Sequence, residues 1–377
     1  MNKNEITEFD VLIVYSDRLA QSASNKSAKF PFSKKSGKQN YNTVYSYFLK
    51  VCKRNGLMAA FTSSGDIAGP GMCKSYWTFK NGAWHKVLES GFSKLIFDKV
   101  SPVNDKRSES YNLLFSSKGV APFNDRDLFK ICFDKQKTYD KFKAYAIPTV
   151  SVERNNKKEF NKAYKKLRYE ISKHQNEKDF SDQIIIKDRF GAGGLNIYKY
   201  KLGNQDLPLP LKNHKKISFI IQPFVNFDKG FVYKKTLTST DIRVIFLGKK
   251  IIQTYIRIAK QGEFRCNEHA GGLLKYVKRE QLPKKIIKTS KVIAKKLNKK
   301  NALFTLDFVL SNSGRVYLLE ANTKPGLDWN QAKIENEIEA KKLIRIVVKE
   351  IVRRTHKLNR NHKETLFTSS HAFANAY

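Results

Sequence analysis

The chain has 377 residues and a net charge of +38, from 72 lysines and arginines against 34 aspartates and glutamates. Its 41% hydrophobic and 12% aromatic content suffices for two or three folded lobes and excludes a disordered chain. No apolar run approaches the roughly 20 residues of a membrane helix, the polar N-terminus is no secretion signal, and the four cysteines form no C-x-x-C pair. A cytoplasmic protein with no membrane contact, disulfide framework or structural zinc is therefore expected.

In chain order, Val11 to Tyr15 reads as a strand, Asn40 to Lys53 as a helix with Val44, Phe48 and Val51 on one side, and Leu57 to Phe61 and Lys94 to Phe97 as further strands. Strands alternating with helices predict a small α/β lobe of Rossmann-like type. Ser63 to Gly71, with three glycines and a proline, reads as a loop without a G-x-G-x-x-G fingerprint. Asp134 to Tyr145 and Glu159 to Lys173 read as helices. Ile184 to Lys187 and Leu195 to Tyr200 read as strands around a glycine loop, and Ile217 to Gln222 as an apolar strand stopped by Pro223. Hairpins are predicted for Asp241 to Phe246 with Lys250 to Ile258, and for Ala302 to Leu310 with Arg315 to Ala321. Between them, Pro283 opens a helix with eight lysines from Lys284 to Lys300, whose apolar spacing predicts one buried and one solvated basic face. Ile334 to Arg354 reads as the last helix, followed by a loose polar tail.

The polar residues within these elements carry the chemistry. Residues two apart on a strand share a face, so Glu320 and Asn322 project together, with Asp307 near them on the partner strand. Two carboxylates and an amide oxygen set among apolar residues make a hard oxygen site suited to magnesium. Lys187 ends a strand and leads into Asp188-Arg189-Phe190-Gly191-Ala192-Gly193-Gly194. There, glycines let backbone N–H groups approach phosphate. The extended Gln222-Pro223-Phe224-Val225 can offer backbone groups and an apolar side chain to an adenine. Arg243 and Arg265 could stabilise a transferring phosphoryl group, whereas Arg257 and Lys260 read equally well as solvated. Taken singly, each pattern has a plainer reading: an acidic sheet edge, a glycine turn, an ordinary strand end.

Taken in order, the set resembles the ATP-grasp superfamily. It runs from Lys187 with its glycine loop through Gln222 to Val225, Asp241-Ile242-Arg243, Glu263-Phe264-Arg265-x-Asn267-x-His269-x-Gly271-Gly272 and Asp307 to Glu320-Ala321-Asn322-x-x-Pro325-Gly326. Within that superfamily, residues 130 to 350 are most similar to the RimK-type ligases, which extend a ribosomal protein with glutamate. The resemblance implies an α/β (α+β) ATP-grasp fold, two lobes clamping ATP, preceded by the Rossmann-like lobe. The expected divisions are 1–130, 131–215, 216–354 and a tail 355–377. ATP and Mg²⁺ (or Mn²⁺) are the implied cofactors. Lys135, Lys187, Gly191, Gly193, Gly194, Gln222, Phe224, Val225 and Asp241 are the implied nucleotide residues. Asp307, Glu320 and Asn322 are the implied metal ligands, and Arg265, Arg243, Asn267 and His269 the implied catalytic residues. The chain departs from the family pattern at Ala270, where a basic residue is usual, at Gln222, where glutamate is common, and in the long segment Asn226 to Thr240.

The implied reaction joins a carboxylate to an amine through an acylphosphate, with an acidic peptide or a ribosomal protein among the candidate acceptors. Peptide cross-linking by an ATP-grasp enzyme is a second reading. A basic nucleic-acid- or ribosome-binding protein with a regulatory nucleotide site is a third, favoured by charge alone. Removing either Asp307 or Glu320 is expected to abolish ATP turnover with the fold intact.

Overall fold

The computed structural model describes residues 6–102, 105–191, 193–201, 208–214, 216–234, 238–327, 329 and 333–374; the side chains at 105–107, 269 and 361–374 fall outside that description. Two compact units form. One runs to Phe123 and resumes at Gly326; the other spans Asn124 to Pro325.

The first unit contains β1 (Thr7–Phe9), β2 (Val11–Tyr15), α1 (Tyr41–Arg54), β3 (Ala59–Ser63), β4 (Ile67–Gly69), β5 (Met72–Cys73), β6 (Tyr76–Lys80), β7 (Ala83–Val87), β8 (Gly91–Ser93), β9 (Leu95–Lys99), α2 (Asp105–Leu114) and β10 (Ala121–Pro122). Its main sheet has the order β10-β9-β2-β3-β6-β7, with β10, β9, β2 and β3 parallel. The interior strands β2, β3 and β9 are apolar because both their faces are covered. The order β9-β2-β3 follows from the α1 crossover, which carries the chain from β2 to β3 on one side, while β9 joins on the other. The β6–β7 hairpin turns on Asn81 and Gly82, both at positive φ, as a two-residue hairpin turn requires. A smaller sheet, β1-β8-β5-β4, takes in part of what reads from sequence as the loop Ser63 to Gly71.

The second unit contains α3 (Arg126–Phe133), α4 (Lys135–Phe142), β11 (Val150–Val152), α5 (Lys157–Ser172), β12 (Phe180–Asp188), β13 (Ile197–Lys201), α6 (Leu209–Asn213), β14 (Phe219–Val225), β15 (Thr240–Leu247), β16 (Lys250–Ile258), β17 (Leu273–Tyr276), α7 (Lys284–Leu297), β18 (Leu303–Leu310) and β19 (Val316–Asn322). It has two antiparallel sheets, ordered β11-β14-β12-β13 and β17-β16-β15-β18-β19. Each buries one face in its own core. Ile184, Ile186, Phe219 and Ile221 pack with Phe160, Leu167 and Ile171 of α5. Ile242, Val244, Phe304, Leu306 and Phe308 pack with Ile286 and Ile293 of α7 and Phe142 of α4. The lysine-rich α7 thus buries its apolar stripe, and its lysines lie on the outward side.

Two expectations are corrected. β14 does not stop at Pro223 but continues through it to Val225, with Pro223 opposite Ile184 of β12. β11 pairs only with residues 219–221, so β14 is an edge on that side at Pro223, where a missing N–H is tolerated. Beyond Arg354 the chain stays helical: α8 runs Ile334–Ala374, a stretch containing no glycine or proline to stop it.

Candidate active site

The same period-2 alternation that buries one face of each sheet sets the polar residues on the other. On β12, Ile184 and Ile186 enter the core, so Lys187 points away from it and is nonetheless only 4% exposed. Burial and the neighbouring Lys135 charge push the Lys187 ammonium down to about 8, with the carboxylates of Glu320 and Asp307 pulling the other way. Lys135 stands at the start of α4, and its ammonium is likewise lowered by burial, against the raising effect of Glu320, Asp188 and Asp134. Neither ammonium forms an ion pair with a carboxylate among the described residues, and Lys135 Nζ donates instead to the Gly191 carbonyl. Two desolvated cations beside one another, without a counter-charge in contact, form a place for an anion.

The start of α4 is fixed to the glycine loop. Asp134 caps the helix by accepting from the backbone N–H groups of Gln136 and Lys137. The same carboxylate receives a bidentate pair from Arg189, Nε at 2.8 Å and Nη2 at 2.7 Å. The backbone N–H of Lys135 donates to the Arg189 carbonyl at 3.2 Å. Asp134 and Arg189 therefore hold Lys135 to the loop that follows Lys187. A helix cap is legible in sequence as Asp before the helix; its arginine partner 55 positions away is not.

That loop meets the second predicted loop. Asn267 Nδ2 donates to the Gly193 carbonyl at 3.2 Å. A side chain at Gly194, where φ is +76°, would begin 2.5 Å from the Asn267 amide, so only glycine fits. Arg265 pairs with Glu263 at 2.7 Å, holding that carboxyl down at about 2, while Arg265 Nε is buried without a partner. His269 lies in a short 3-10 turn, Glu268–Ala270, and its side chain is outside the described residues.

On the larger sheet, Asp241, Arg243, Tyr255, Arg257 and Asp307 share the face opposite the core. Asp307 is fully buried and accepts from Arg243 Nε at 2.6 Å, Arg243 Nη2 at 2.5 Å and Arg257 Nη2 at 2.8 Å. Arg257 Nε also donates to Asp241 at 2.7 Å, and Arg243 Nη1 to the Tyr255 hydroxyl at 3.0 Å. Burial raises the Asp241 carboxyl to about 6 against the pull of Arg257. At Asp307 the two guanidiniums outweigh burial and hold the carboxyl at about 2. Arg257 is thus a buried partner of both carboxylates rather than a solvated side chain, and Arg243 is engaged by Asp307 and Tyr255.

Glu320 lies opposite Asp307 in register and within hydrogen-bonding reach of it, 3.5 Å from Arg243 Nη2. A bulge at Leu319 resets the alternation, so Leu318 enters the core while Glu320 stays on the polar face. Asn322, opposite Thr305, follows two residues on, its Oδ1 accepting from the Lys324 N–H at 2.9 Å. Among the described residues no three carboxylates, histidines or cysteines gather closely enough to hold a metal alone. An ionised carboxylate offers about four acceptor positions; three N–H groups fill three on Asp307. One position on Asp307, Glu320 and the Asn322 amide oxygen fit a hard cation that brings further oxygens with it.

At the segment expected to meet a base, Gln222 donates its amide N–H to Thr149 Oγ1 at 2.6 Å and is buried. Val225 packs in a core with Phe227, Ala259 and Tyr317. Phe224 is half-buried and lies under an unpredicted residue, Lys199 of β13, whose Nζ is 3.6 Å from the ring centroid and 5.8 Å from that of Phe264. Burial lowers the Lys199 ammonium.

A family model described as a RimK-like ATP-grasp domain matches residues 138–347. The chain is 30% identical over 162 residues to a protein of Shewanella denitrificans named "Probable alpha-L-glutamate ligase 1", covering 42% of this chain and 52% of that one. It is 32% identical over 146 residues to a protein of Photobacterium profundum named "Probable alpha-L-glutamate ligase", covering 38% and 45%. The chain thus spans about half the length of the curated relatives it matches. Among solved structures, D-alanyl-alanine synthetase A from Vibrio cholerae superposes with a TM-score of 0.57 at 14% identity, over 92% of this chain and 99% of that one. The Chryseobacterium gregarium RiPP-associated ATP-grasp ligase, in complex with ADP and a leader and core peptide, gives 0.51 at 14%, over 92% and 97%. At these identities the likeness is one of fold.

Proposed function

The chain belongs to the RimK-like ATP-grasp family, and on that premise we propose that it is an ATP- and magnesium-dependent ligase that phosphorylates a carboxylate and joins the resulting acylphosphate to an amine. The observation that carries this reading is the meeting of the buried Lys187 and the half-buried Lys135, two ammonium groups without an ion-pair partner among the described residues, with the carboxylates of Asp307 and Glu320.

Charge decides what can enter. Asp188, Asp241, Asp307 and Glu320 supply four negative charges against four positive ones from Arg243, Arg257, Lys135 and Lys187, so the site is already balanced. A free divalent cation gains little from such a site, and a nucleotide triphosphate carrying its own cation gains from both halves. Bound magnesium would supply charge stabilisation to the phosphates, held by Glu320, Asn322 and Asp307. Lys135 and Lys187 hold the phosphate oxygens, and the glycine loop offers its backbone to them. The backbone of Gln222 to Val225 meets the adenine, with Phe224 against its ring. Arg265 faces the transferred phosphoryl group, and Asn267 and His269 border the carboxylate substrate. Arg243, Arg257 and Asp241 fix Asp307 in place. Positioning and electrostatics suffice for this chemistry, and no protein nucleophile is required.

The names of the curated relatives support an amino acid such as glutamate as one partner, added to a protein, peptide or small acceptor. The peptide-bound neighbour supports a peptide as the other. The test is hydroxamate formation from ATP, hydroxylamine and a panel of carboxylic acids. A hydroxamate with matching ADP identifies the activated acid. RNA binding that collapses with salt, with neither hydroxamate nor ADP under any condition, would replace this reading with a nucleic-acid-binding one.

A further inference from the structure

The lysines of α7 and of the turn after it fall into two sets. Lys285 Nζ donates to the Gly314 carbonyl at 3.3 Å, Lys296 Nζ lies 4.8 Å from the Tyr145 ring centroid, and Lys299 pairs with Asp125 at 2.8 Å. The second unit itself uses these three. Lys284, Lys288, Lys291 and Lys295 are exposed and have no ion-pair, hydrogen-bond or ring partner among the described residues. Steps of four, three and four residues set them in one row along the helix, about 16 Å long.

This row costs helix stability. Like charges three and four positions apart repel across successive turns. Lys284 and Lys285 also stand in the first turn, where the helix dipole already presents positive charge. A helix that only has to pack takes acidic residues there, and α7 contains none. Its buried stripe of Ile286, Ile293, Ala294 and Leu297 requires lysine at none of the four positions. Unrelieved repulsion on an otherwise well-packed element marks a surface that meets a ligand, here one with many negative charges. Two more exposed lysines lie just beyond the helix. The Gly248 N–H donates to the Ala302 carbonyl at 2.8 Å, and a Cβ at Gly248 would collide with the Lys300 carbonyl. That close approach brings Lys249 alongside Lys300. Carboxylates on the flanking segments are already paired, Asp127 with Lys130 and Glu280 with Arg279.

The face also selects among polyanions. Its apolar stripe lies in the core and no large hydrophobic side chain of α7 is exposed, so an acyl chain finds nothing to enter. No exposed aromatic ring stands on α7 for an unpaired base to stack on. The groups that would pair with a peptide backbone are used within the helix itself. A nucleic-acid duplex needs none of these, and it carries one phosphate charge per about 1.7 Å of its axis, about ten over the length of the row.

We propose that the outer face of α7 binds the phosphate backbone of a nucleic-acid duplex without reading its sequence. α7 packs on the core side of the five-stranded sheet, whereas Arg243 and Asp307 lie on the other side. The face is therefore separate from the nucleotide site and does not depend on that reading.

Fluorescence anisotropy of the full chain with short labelled duplexes, over a series of salt concentrations, tests the proposal. RNA and DNA duplexes of several sequences are expected to bind alike in about 0.1 M salt, and more weakly as salt rises. Replacing the row together (Lys284→Gln, Lys288→Gln, Lys291→Gln, Lys295→Gln) weakens binding on the order of 10²-fold and lowers the salt slope by about 3 to 4. A control removes as many exposed lysines from α5 (Lys158→Gln, Lys162→Gln, Lys165→Gln, Lys166→Gln), where Glu159 and Glu170 interrupt the charge. It changes affinity by less than about threefold. The α7 variant melts no lower than the parent, because its substitutions relieve repulsion. No saturable duplex binding overturns the proposal. Equal losses from the two sets overturn it too, since binding then follows net charge alone. So does binding to anionic phospholipid vesicles or to polyglutamate as tight as to the duplex. Hydroxamate and ADP formation read the ligase proposal separately.

Discussion

The two sheets of the second unit treat their polar faces in opposite ways. On the five-stranded sheet every buried charge is paired: Arg243 and Arg257 share Asp307, and Arg257 also holds Asp241. On the four-stranded sheet the buried Lys187 stands beside Lys135 with no carboxylate in contact among the described residues, while the exposed Lys199 lies over the Phe224 ring and the exposed Lys201 pairs with Asp182. Paired charges are stable without a ligand and set geometry in advance. Unpaired buried cations carry a desolvation cost that an arriving anion relieves. One face is therefore a preorganised scaffold and the other a receptor, and substitutions on the two faces should fail differently.

The largest effect is expected at Asp307. Asp307→Ala leaves two guanidiniums buried without their shared carboxylate, which should cost about 3–5 kcal/mol of stability in denaturant unfolding, with turnover lost as well. At Asp307 this differs from the expectation drawn from sequence that the fold stays intact; at Glu320 that expectation stands. An unchanged unfolding midpoint would mean that the arginine network does not hold the sheet together. Glu320→Ala comes next. Its side chain is 29% exposed and its contact with Arg243 is long, at 3.5 Å, so stability should change by less than about 1 kcal/mol. ADP production should nonetheless fall on the order of 10³-fold. Retention of more than a tenth of wild-type turnover would remove Glu320 from the metal site.

The contrast between the faces was only partly legible in the sequence. Alternation of apolar and polar residues marked the long strands, and it set Glu320 and Asn322 on one face opposite Asp307. Which charges meet across strands depends on register between distant segments. Asp307 and Arg257 are 50 positions apart, and nothing local distinguishes a paired arginine from a solvated one. Lys199 was missed for the same reason, since its aromatic neighbours come from β14 and from the loop at Phe264. In the first unit Asn81-Gly82 is a local hairpin signal, whereas the short strands β4, β5 and β8 are too brief for periodicity to show. The extension of α8 was hidden by its polarity, which resembles that of a solvated tail.

The receptor face should also respond to pH. With Lys187 lowered to about 8 from an ordinary 10.5, its ammonium begins to lose its proton near pH 8 in the absence of nucleotide. Phosphate binding restores the charge, so nucleotide binding at pH 8 to 9 should take up protons, and affinity should fall by up to about tenfold per pH unit above 8. Calorimetry in buffers of different ionisation heat reads the uptake directly, and Lys187→Met should abolish it. Binding without proton exchange in the wild type would place Lys187 away from the phosphates. The same shift acts on stability with a definite sign. Between pH 8 and 10.5 the unfolded chain binds more protons at this lysine than the folded one, so its contribution to stability improves as pH rises through that window.

The smallest effect, and the sharpest test of how the receptor is positioned, concerns Asp134 and Arg189. Asp134 has two roles, capping α4 and receiving Arg189, and they can be separated. Asp134→Asn keeps a good helix cap but loses the charged bidentate pair, whereas Asp134→Ala loses both. Arg189→Gln removes the pair alone. The ion pair is partly exposed, with Arg189 at 26%, so its loss should cost no more than about 1 kcal/mol of stability. The expected signature is kinetic: a several-fold rise in KM for ATP with kcat little changed, because Lys135 is displaced from the loop while the carboxylates on the other sheet are untouched. Arg189→Lys should not restore the wild-type KM, since a single ammonium cannot replace two parallel N–H bonds. If Asp134→Asn and Arg189→Gln combine additively, the two side chains act independently and the link between helix cap and glycine loop has no functional weight. If the double variant is no worse than either single one, Lys135 is held where the phosphates need it by that one carboxylate–guanidinium pair.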